Sequence, residues 1–137
     1  ALLIDQGVAE YCGLDFSPRA VEMAELNAPA GRFVVDDART SDIYGRFPHD
    51  AIICTEVLEH IEDDLQVVAR FPAGRRCLCT VPNFPYVSHV RHFDDAEAVR
   101  ARYGRFFEGL DVLTLRGASG EGVKYHLFEG VRNGTSA

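Results

Sequence analysis

Short runs of mostly apolar residues alternate along this chain with stretches in which apolar residues recur every three to four positions. The runs AEYCGL (residues 9–14), RFVV (32–35), HDAIICT (49–55) and RRCLCTV (75–81) are short and sharply bounded, which predicts strands. HDAIICT is nearly all apolar, so burial on both faces is expected of it. SPRAVEMAELN (17–27) predicts a helix. Ser17 is a good N-cap, Pro18 suits the first helical position, and Ala20, Val21, Met23 and Ala24 supply an apolar face. Asn27, Pro29 and Gly31 end it. DDLQVVARF (63–71) predicts a second helix with Leu65, Val68 and Phe71 inward. DDAEAVRARYG (94–104) predicts a third, opened by acids and stopped by glycine. LDVLTLR (110–116) and KYHLFEGVR (124–132) read as a closing antiparallel pair around GASGEGV (117–123). Gly120 and Gly122 form a G-x-G there, but a strand follows instead of a helix. The loop is therefore expected to be a strand-to-strand turn, not a phosphate cradle.

Strands alternating with helices imply crossover connections and a mostly parallel sheet. The expected class is α/β, with an antiparallel C-terminal edge strand added by the final pair. No repeat, low-complexity tract or linker interrupts the pattern, and 137 residues suit one domain, taken as residues 1–137. In such sheets ligands bind beyond the carboxyl ends of the strands. That singles out Asp15-Phe16, Asp36-Asp37-Ala38, Thr55-Glu56 and Pro82-Asn83.

Composition narrows the function classes. Hydrophobic residues are 47% and charged residues 26%, enough apolar surface for a core. The net charge of −7 disfavours an extended nucleic-acid face, which needs clustered Lys and Arg. No apolar run is long enough for a transmembrane helix, and ALLIDQGVAEYCG lacks the form of a signal peptide. The four cysteines (Cys12, Cys54, Cys77 and Cys79) form no CxxC pair and all lie in strand-like stretches. They read as buried free thiols, which points to a reducing, cytoplasmic location.

The strand-end residues carry the candidate chemistry. A carboxylate such as Asp15 can accept from both hydroxyls of a ribose, or it can serve the dipole of the helix that follows. In VVDDA, Asp36 or Asp37 could accept from an adenine amino group beside the small Ala38, or form an acidic turn. In CTEVLEHIEDD, a helical turn over 56–60 would bring Glu56, Glu59 and His60 to one face, able to hold a metal or move a proton. The alternative is a local polar network with Val57 and Leu58 inward. TVPNFPYVSHVRHF, with Pro82, Pro85 and interleaved aromatics and histidines, reads as an extended loop, either a substrate lid or an ordinary packed segment.

Together, GLDFSPRAVEMAELN, VVDDA, DAIICTEVLEHIEDD and RRCLCTVPN resemble the class I S-adenosylmethionine-dependent methyltransferases of the type 11/12 kind, with the ubiquinone-biosynthesis O-methyltransferases as the nearest branch. The resemblance implies a Rossmann-like methyltransferase fold, S-adenosyl-L-methionine as cofactor and methyl transfer to an O or N atom of a small molecule. By position it implies that Asp15 binds the ribose with Phe16 beside the adenine, and that Asp37 meets the adenine amino group next to Ala38. Thr55 and Glu56 would border the methionine end and the acceptor, and His60 and His92 are the candidate bases. It starts after the family's first strand and glycine-rich loop, since ALLIDQGV is similar to the last turns of the helix that follows them. An N-terminally incomplete methyltransferase domain is therefore expected, with activity belonging to the parent protein. The expected partner is a small-molecule methyl acceptor, with no nucleic acid and no membrane, and a homodimer left open.

A narrower likeness pulls elsewhere. Glu-x-x-Glu-His with a later histidine is similar to small-RNA 2′-O-methyltransferases, which hold a divalent ion with two Glu and two His. Here those would be Glu56, Glu59, His60 and either His89 or His92. The acidic charge argues against RNA, and EVLEH also occurs in small-molecule enzymes of the class, so no metal is assigned and this stays the alternative. A third reading is a non-catalytic Rossmann-like module that binds a partner through an unpaired sheet edge.

Overall fold

The computed structural model describes residues 2–118, 120 and 122–137, and of Leu2 the backbone alone. The chain divides into two compact units, residues 1–47 and 48–137.

In the first unit a short helix α1 (Leu2–Asp5) precedes strand β1 (Cys12–Asp15), helix α2 (Pro18–Asn27), strand β2 (Arg32–Val35) and a single turn of helix α3 (Ile43–Arg46). β1 and β2 pair in parallel, Cys12 with Arg32 through Asp15 with Val35, and α2 makes the crossover between them. Helix α2 begins as its sequence dictates: Ser17 is extended, its Oγ accepts from the amide of Ala20 at 3.2 Å, and Pro18 follows. The inward face is Val21 with Ala20 and Ala24, while Met23 stays 45% exposed, outside the face assigned to it. Gly13 is required by close approach. A Cβ there would lie 2.7 Å from the Phe33 ring, which packs tilted against Tyr11 at 5.8 Å.

The second unit holds β3 (Ala51–Thr55), a 3₁₀ turn (Leu58–His60), α4 (Asp64–Arg70), β4 (Arg76–Pro82), α5 (Ala96–Tyr103), a second 3₁₀ turn (Gly104–Phe106), β5 (Phe107–Arg116) and β6 (Lys124–Arg132). The sheet order is β3-β4-β6-β5, with β3 parallel to β4 and β6 antiparallel to both its neighbours. The α/β class is as expected, and the last strand is antiparallel. It lies inside the sheet, however, and β5 takes the edge. The burial patterns explain the order: His126, Phe128 and Arg132 on β6 are buried, whereas β5 is mostly exposed and bulged at Glu108/Asp111, where Gly109 has φ +63°. Ser119 and Glu121 of the connecting loop lie outside the described residues.

β3 corrects another expectation. Only Cys54 is buried, and Ile53 is 50% exposed, because the strand lies at the edge of its four-stranded sheet. In α4 the inward residues are Val67 and Val68, with Phe71 just beyond, and Leu65 is only half-buried. They join Val99, Tyr103, Phe106 and Phe128, with Tyr103 stacked on Phe128 at 4.8 Å. Each such side chain contributes about 1.5–3 kcal/mol by burial.

Two buried charges tie this core together. Asp64 accepts from Arg102 Nε at 2.8 Å and from the Tyr103 hydroxyl at 2.6 Å, which links α4 to α5. Arg132 reaches back from β6 and donates to the carbonyls of Val68 at 2.9 Å and Ala69 at 3.2 Å, in the last turn of α4. The Val68 carbonyl also accepts from the Phe71 amide at 3.2 Å, so the guanidinium fork adds a second donor at this helix end.

Candidate functional site

In the first unit the strand-end candidates are presented as follows. Asp15 ends β1 with its carboxylate exposed. Its Oδ1 accepts from the amide of Ser17 at 2.8 Å, so one oxygen steadies the helix start. Phe16 is 82% exposed, an unusual position for an aromatic ring. Beside Asp15 is a cavity of about 130 Å³ whose walls include Tyr11, Gly13, Leu14 and Phe33. Asp37 is engaged locally. Its Oδ1 accepts from the amide of Arg39 at 2.9 Å and its Oδ2 from Arg39 Nη2 at 2.6 Å. These bonds to Arg39 hold its carboxyl at about 2. Asp36 accepts from the amide of Asp37 at 2.8 Å. Arg39 Nε also donates to both oxygens, at 3.0 and 3.1 Å, so the acidic turn is a hydrogen-bonded feature in which each Asp37 oxygen already accepts two bonds. Ala38 is half-buried, and its carbonyl accepts from the Tyr44 hydroxyl at 3.2 Å.

In the second unit, Thr55 is exposed at the end of β3. Glu56 does not continue into a helical turn. It has φ +55°, the one non-glycine residue with positive φ among those described. That conformation costs about 1–3 kcal/mol and persists only where surroundings fix it. Thr80 does so: its Oγ1 donates to Glu56 Oε1 at 2.8 Å and accepts from the Glu56 amide at 3.1 Å. The kink replaces the expected helical turn, and the 3₁₀ turn starts only at Leu58, yet the Glu56 side chain still reaches the Glu59 carboxyl.

That turn buries Glu59 completely, and neither of its carboxylate oxygens meets a hydrogen-bond donor. His60 Nε2 lies 3.8 Å from Oε1, and the Glu56 carboxyl is also within its reach. Burial pushes the Glu59 carboxyl up to about 7; its own backbone amide and His60 oppose this, and the charge of Glu56 and, once Glu59 is protonated, a hydrogen bond with it add to it. His60 is partly exposed, and its Nδ1–H donates to the carbonyl of Ser88 at 2.9 Å. His89 Nδ1 likewise meets the carbonyl of Phe84 at 3.1 Å. A carbonyl only accepts, so both rings carry their proton on Nδ1 when neutral and turn an Nε2 lone pair outward. The rings lie edge to face, 4.9 Å apart, and one ligand atom each from Glu59, His60 and His89 falls within 4.8 Å of the others.

Arg91 fixes this grouping. Its guanidinium donates to the carbonyls of Leu58 at 2.8 Å, of Ile61, and of Glu62 at 2.8 Å. The amide of Val90 adds a bond to the Glu59 carbonyl at 2.8 Å. The loop after β4 is thereby laid over the 3₁₀ turn and brings His89 to Glu59. His92 is not brought into the group; it is exposed, with Nε2 4.0 Å from Asp94 Oδ1. Asn83 staples the same loop to the β6 side, accepting from the Lys124 amide at 2.7 Å. The burial of Glu59 and the roles of Arg91 and Thr80 are functional features that sequence reasoning missed. The four thiols are free; Cys54, Cys77 and Cys79 are buried as expected, Cys12 is only half-buried, and burial pushes Cys77 to about 12.

Comparison with known proteins places this geometry in context. Residues 1–72 match the model of a family described as a methyltransferase domain. No curated protein matches the chain. Among solved structures, the N-terminal domain of EvdMO1 with SAH bound is similar at TM-score 0.68 and 16% identity, over 96% of this chain and 68% of that one. The [4+2]-cyclase SpnF is similar at TM-score 0.72 and 12% identity, over 96% and 69%. The 1,6-didemethyltoxoflavin-N1-methyltransferase of Burkholderia thailandensis, with its substrate and S-adenosylhomocysteine bound, is similar at TM-score 0.68 and 19% identity, over 96% and 64%. At these identities the likeness is one of fold, and the chain spans about two thirds of each structure's length. No helix among the described residues is long and apolar enough to cross a membrane.

Proposed function

The chain belongs to the methyltransferase domain family, and from that premise we propose that it serves an enzyme moving a methyl group from S-adenosylmethionine to an oxygen or nitrogen of a small molecule. The observation that carries this reading is the pairing of Asp15 and Phe16. A carboxylate and an aromatic ring stand exposed side by side at the carboxyl end of a parallel strand, where α/β sheets take their ligands. Similar folds crystallised with S-adenosylhomocysteine support the cofactor.

The residues fit the group. Asp15 keeps Oδ2 for a ribose diol while Oδ1 holds the helix start, and Phe16 offers an unsatisfied apolar face to a purine. Asp37, next to small Ala38, is assigned to an exocyclic amine, which would replace one of the Arg39 bonds on its carboxylate. Bound there, the cofactor supplies a methyl carbon activated by its sulfonium sulfur. The protein's own part is to position the acceptor in line with that carbon and to exclude water. Thr55 and Glu56 are assigned to the acceptor side, where Thr80 holds Glu56 in one conformation. His60 can take the acceptor's proton at Nε2 because Nδ1 is committed to Ser88. The net charge of −7 favours a small acceptor over a nucleic acid, and the buried thiols suit a reducing compartment.

A structural neighbour described as a cyclase makes methyl transfer itself the property to measure. Incubating the whole protein with S-adenosylmethionine labelled in the methyl group should move label to a small hydroxylated or aminated acceptor. Saturable S-adenosylhomocysteine binding without transfer to any acceptor would replace this reading with a binding role.

A further inference from the structure

We propose that Glu59, His60 and His89 receive a primary ammonium group, so that the small molecule taken by this unit of the chain carries an amine. Calling that molecule the methyl acceptor rests on the methyltransferase reading, and the site itself does not.

The starting point is what the cluster lacks. Glu59 is fully buried and its two oxygens meet no donor, a state rare enough in folded proteins to need a reason. The Glu56 carboxyl lies within hydrogen-bonding reach of it. Two carboxyl groups in contact coexist by sharing a proton or by holding a cation beside them. The imidazoles do not supply the missing donor. His60 and His89 each give their Nδ1 proton to a backbone carbonyl, of Ser88 and Phe84, and offer Nε2 as an acceptor. Arg91 does not neutralise the group either. Its guanidinium is committed to the carbonyls of Leu58, Ile61 and Glu62, with Asp64 at 3.5 Å. The cluster thus presents acceptors from several directions. Its complement is a cation that carries several N–H bonds.

Spacing favours ammonium over a metal ion. Hydrogen bonds of about 2.9 Å, set at tetrahedral angles round one nitrogen, hold three acceptors about 4.7 Å apart. An ion with bonds of about 2.1 Å draws its ligands to about 3.0–3.5 Å. Here His60 Nε2 and Glu59 Oε1 are 3.8 Å apart, already wide for ligands of one ion. One such atom each from Glu59, His60 and His89 lies within 4.8 Å of the others. The surroundings suit an organic cation as well. His89 has Tyr86 at 5.5 Å and Phe84 at 5.6 Å between ring centroids, and His60 edge to face at 4.9 Å. Aromatic faces attract an ammonium group and give its alkyl stem an apolar wall. Tyr86 is 65% exposed and the His60 side chain 37%, so the approach is from their side.

The test uses n-butylamine, a cation at pH 8, with 1-butanol as its neutral counterpart and chelator present throughout. The whole protein is titrated with each while the ring resonances of the cluster histidines are followed by NMR. Saturable shifts are expected with butylammonium and none with butanol. Glu59→Gln and His89→Ala should each weaken binding at least about tenfold, with the NMR spectrum showing that each variant folds. Glu97→Gln makes the same charge change on exposed α5 surface and should bind as wild type. Absent saturation, equal binding of butanol, or unchanged affinity in either folded cluster variant overturns the site. S-adenosylhomocysteine is titrated separately. Ammonium binding without S-adenosylhomocysteine binding supports the site and overturns the acceptor role together with the methyltransferase reading. Methyl label that appears only on molecules without an amine overturns the acceptor role alone.

Discussion

Glu59→Gln perturbs the most improbable group in the molecule, and its effect on stability can be worked out without any ligand. Burial raises the Glu59 carboxyl from 4.5 to about 7. A group whose folded value lies above its unfolded value stabilises the fold fully at low pH and loses that contribution as pH rises through the folded value. The window here runs from about 4.5 to 7, and the shift amounts to roughly 3 kcal/mol at 1.36 kcal/mol per pH unit. Glutamine keeps the shape and cannot ionise. It leaves an amide in the same dry site, so absolute stabilities at a single pH are a poor guide. The difference between two pH values is the clean quantity. Urea denaturation at pH 5 and pH 8 should show wild type losing stability relative to the variant, by about 2.5 kcal/mol. Parallel stability profiles for the two proteins would refute the reasoning, because Glu59 would then be solvated or paired in the folded state.

Other outcomes follow from the same geometry. Asp64→Ala leaves the buried Tyr103 hydroxyl unpaired and Arg102, partly solvated, without its partner, and should cost about 1–3 kcal/mol in urea denaturation. Arg91→Ala frees the loop after β4 from the 3₁₀ turn. Amide exchange should accelerate at Val90, and an unchanged rate there would refute the tether. Thiol labelling of native protein at pH 8 should modify Cys12 first and spare Cys77 and Cys79, which burial keeps protonated and covered; equal labelling of all would mean that the core opens readily.

Much of the fold was legible because local signals and burial agreed. Ser17-Pro18 fixed the start of α2 and RFVV was read with its true bounds, as was the final strand. Errors arose where tertiary context decides. HDAIICT is apolar enough for an inner strand but stands at a sheet edge. The order β4-β6-β5 depends on which strand of a pair is covered, a choice that alternation within each strand leaves open. The candidate site shows the same division. Residues after strands were visible by position, Asp15 and Thr55 among them. The cluster of Glu59, His60 and His89 was only half visible. A regular turn over 56–60 was the natural reading, and nothing local announces that Thr80, on another strand, holds Glu56 at positive φ. The spacing between His89 and His92 in an irregular loop has no period to interpret. Arg91, lying between them, decides which one faces inward, and it does so through carbonyls some thirty residues earlier in the chain.

The most direct measurement is calorimetric titration of S-adenosylhomocysteine into the whole protein and its Asp15→Ala variant, with circular dichroism to establish that the variant folds. Asp15 is assigned two hydrogen bonds from the ribose hydroxyls to a charged oxygen, worth about 1.5–3 kcal/mol each. Saturable binding in wild type, weakened at least about tenfold in the folded variant, is the predicted result. Equal affinity in the two proteins would contradict the placement of the cofactor at Asp15, and no binding in wild type would contradict the methyltransferase function itself.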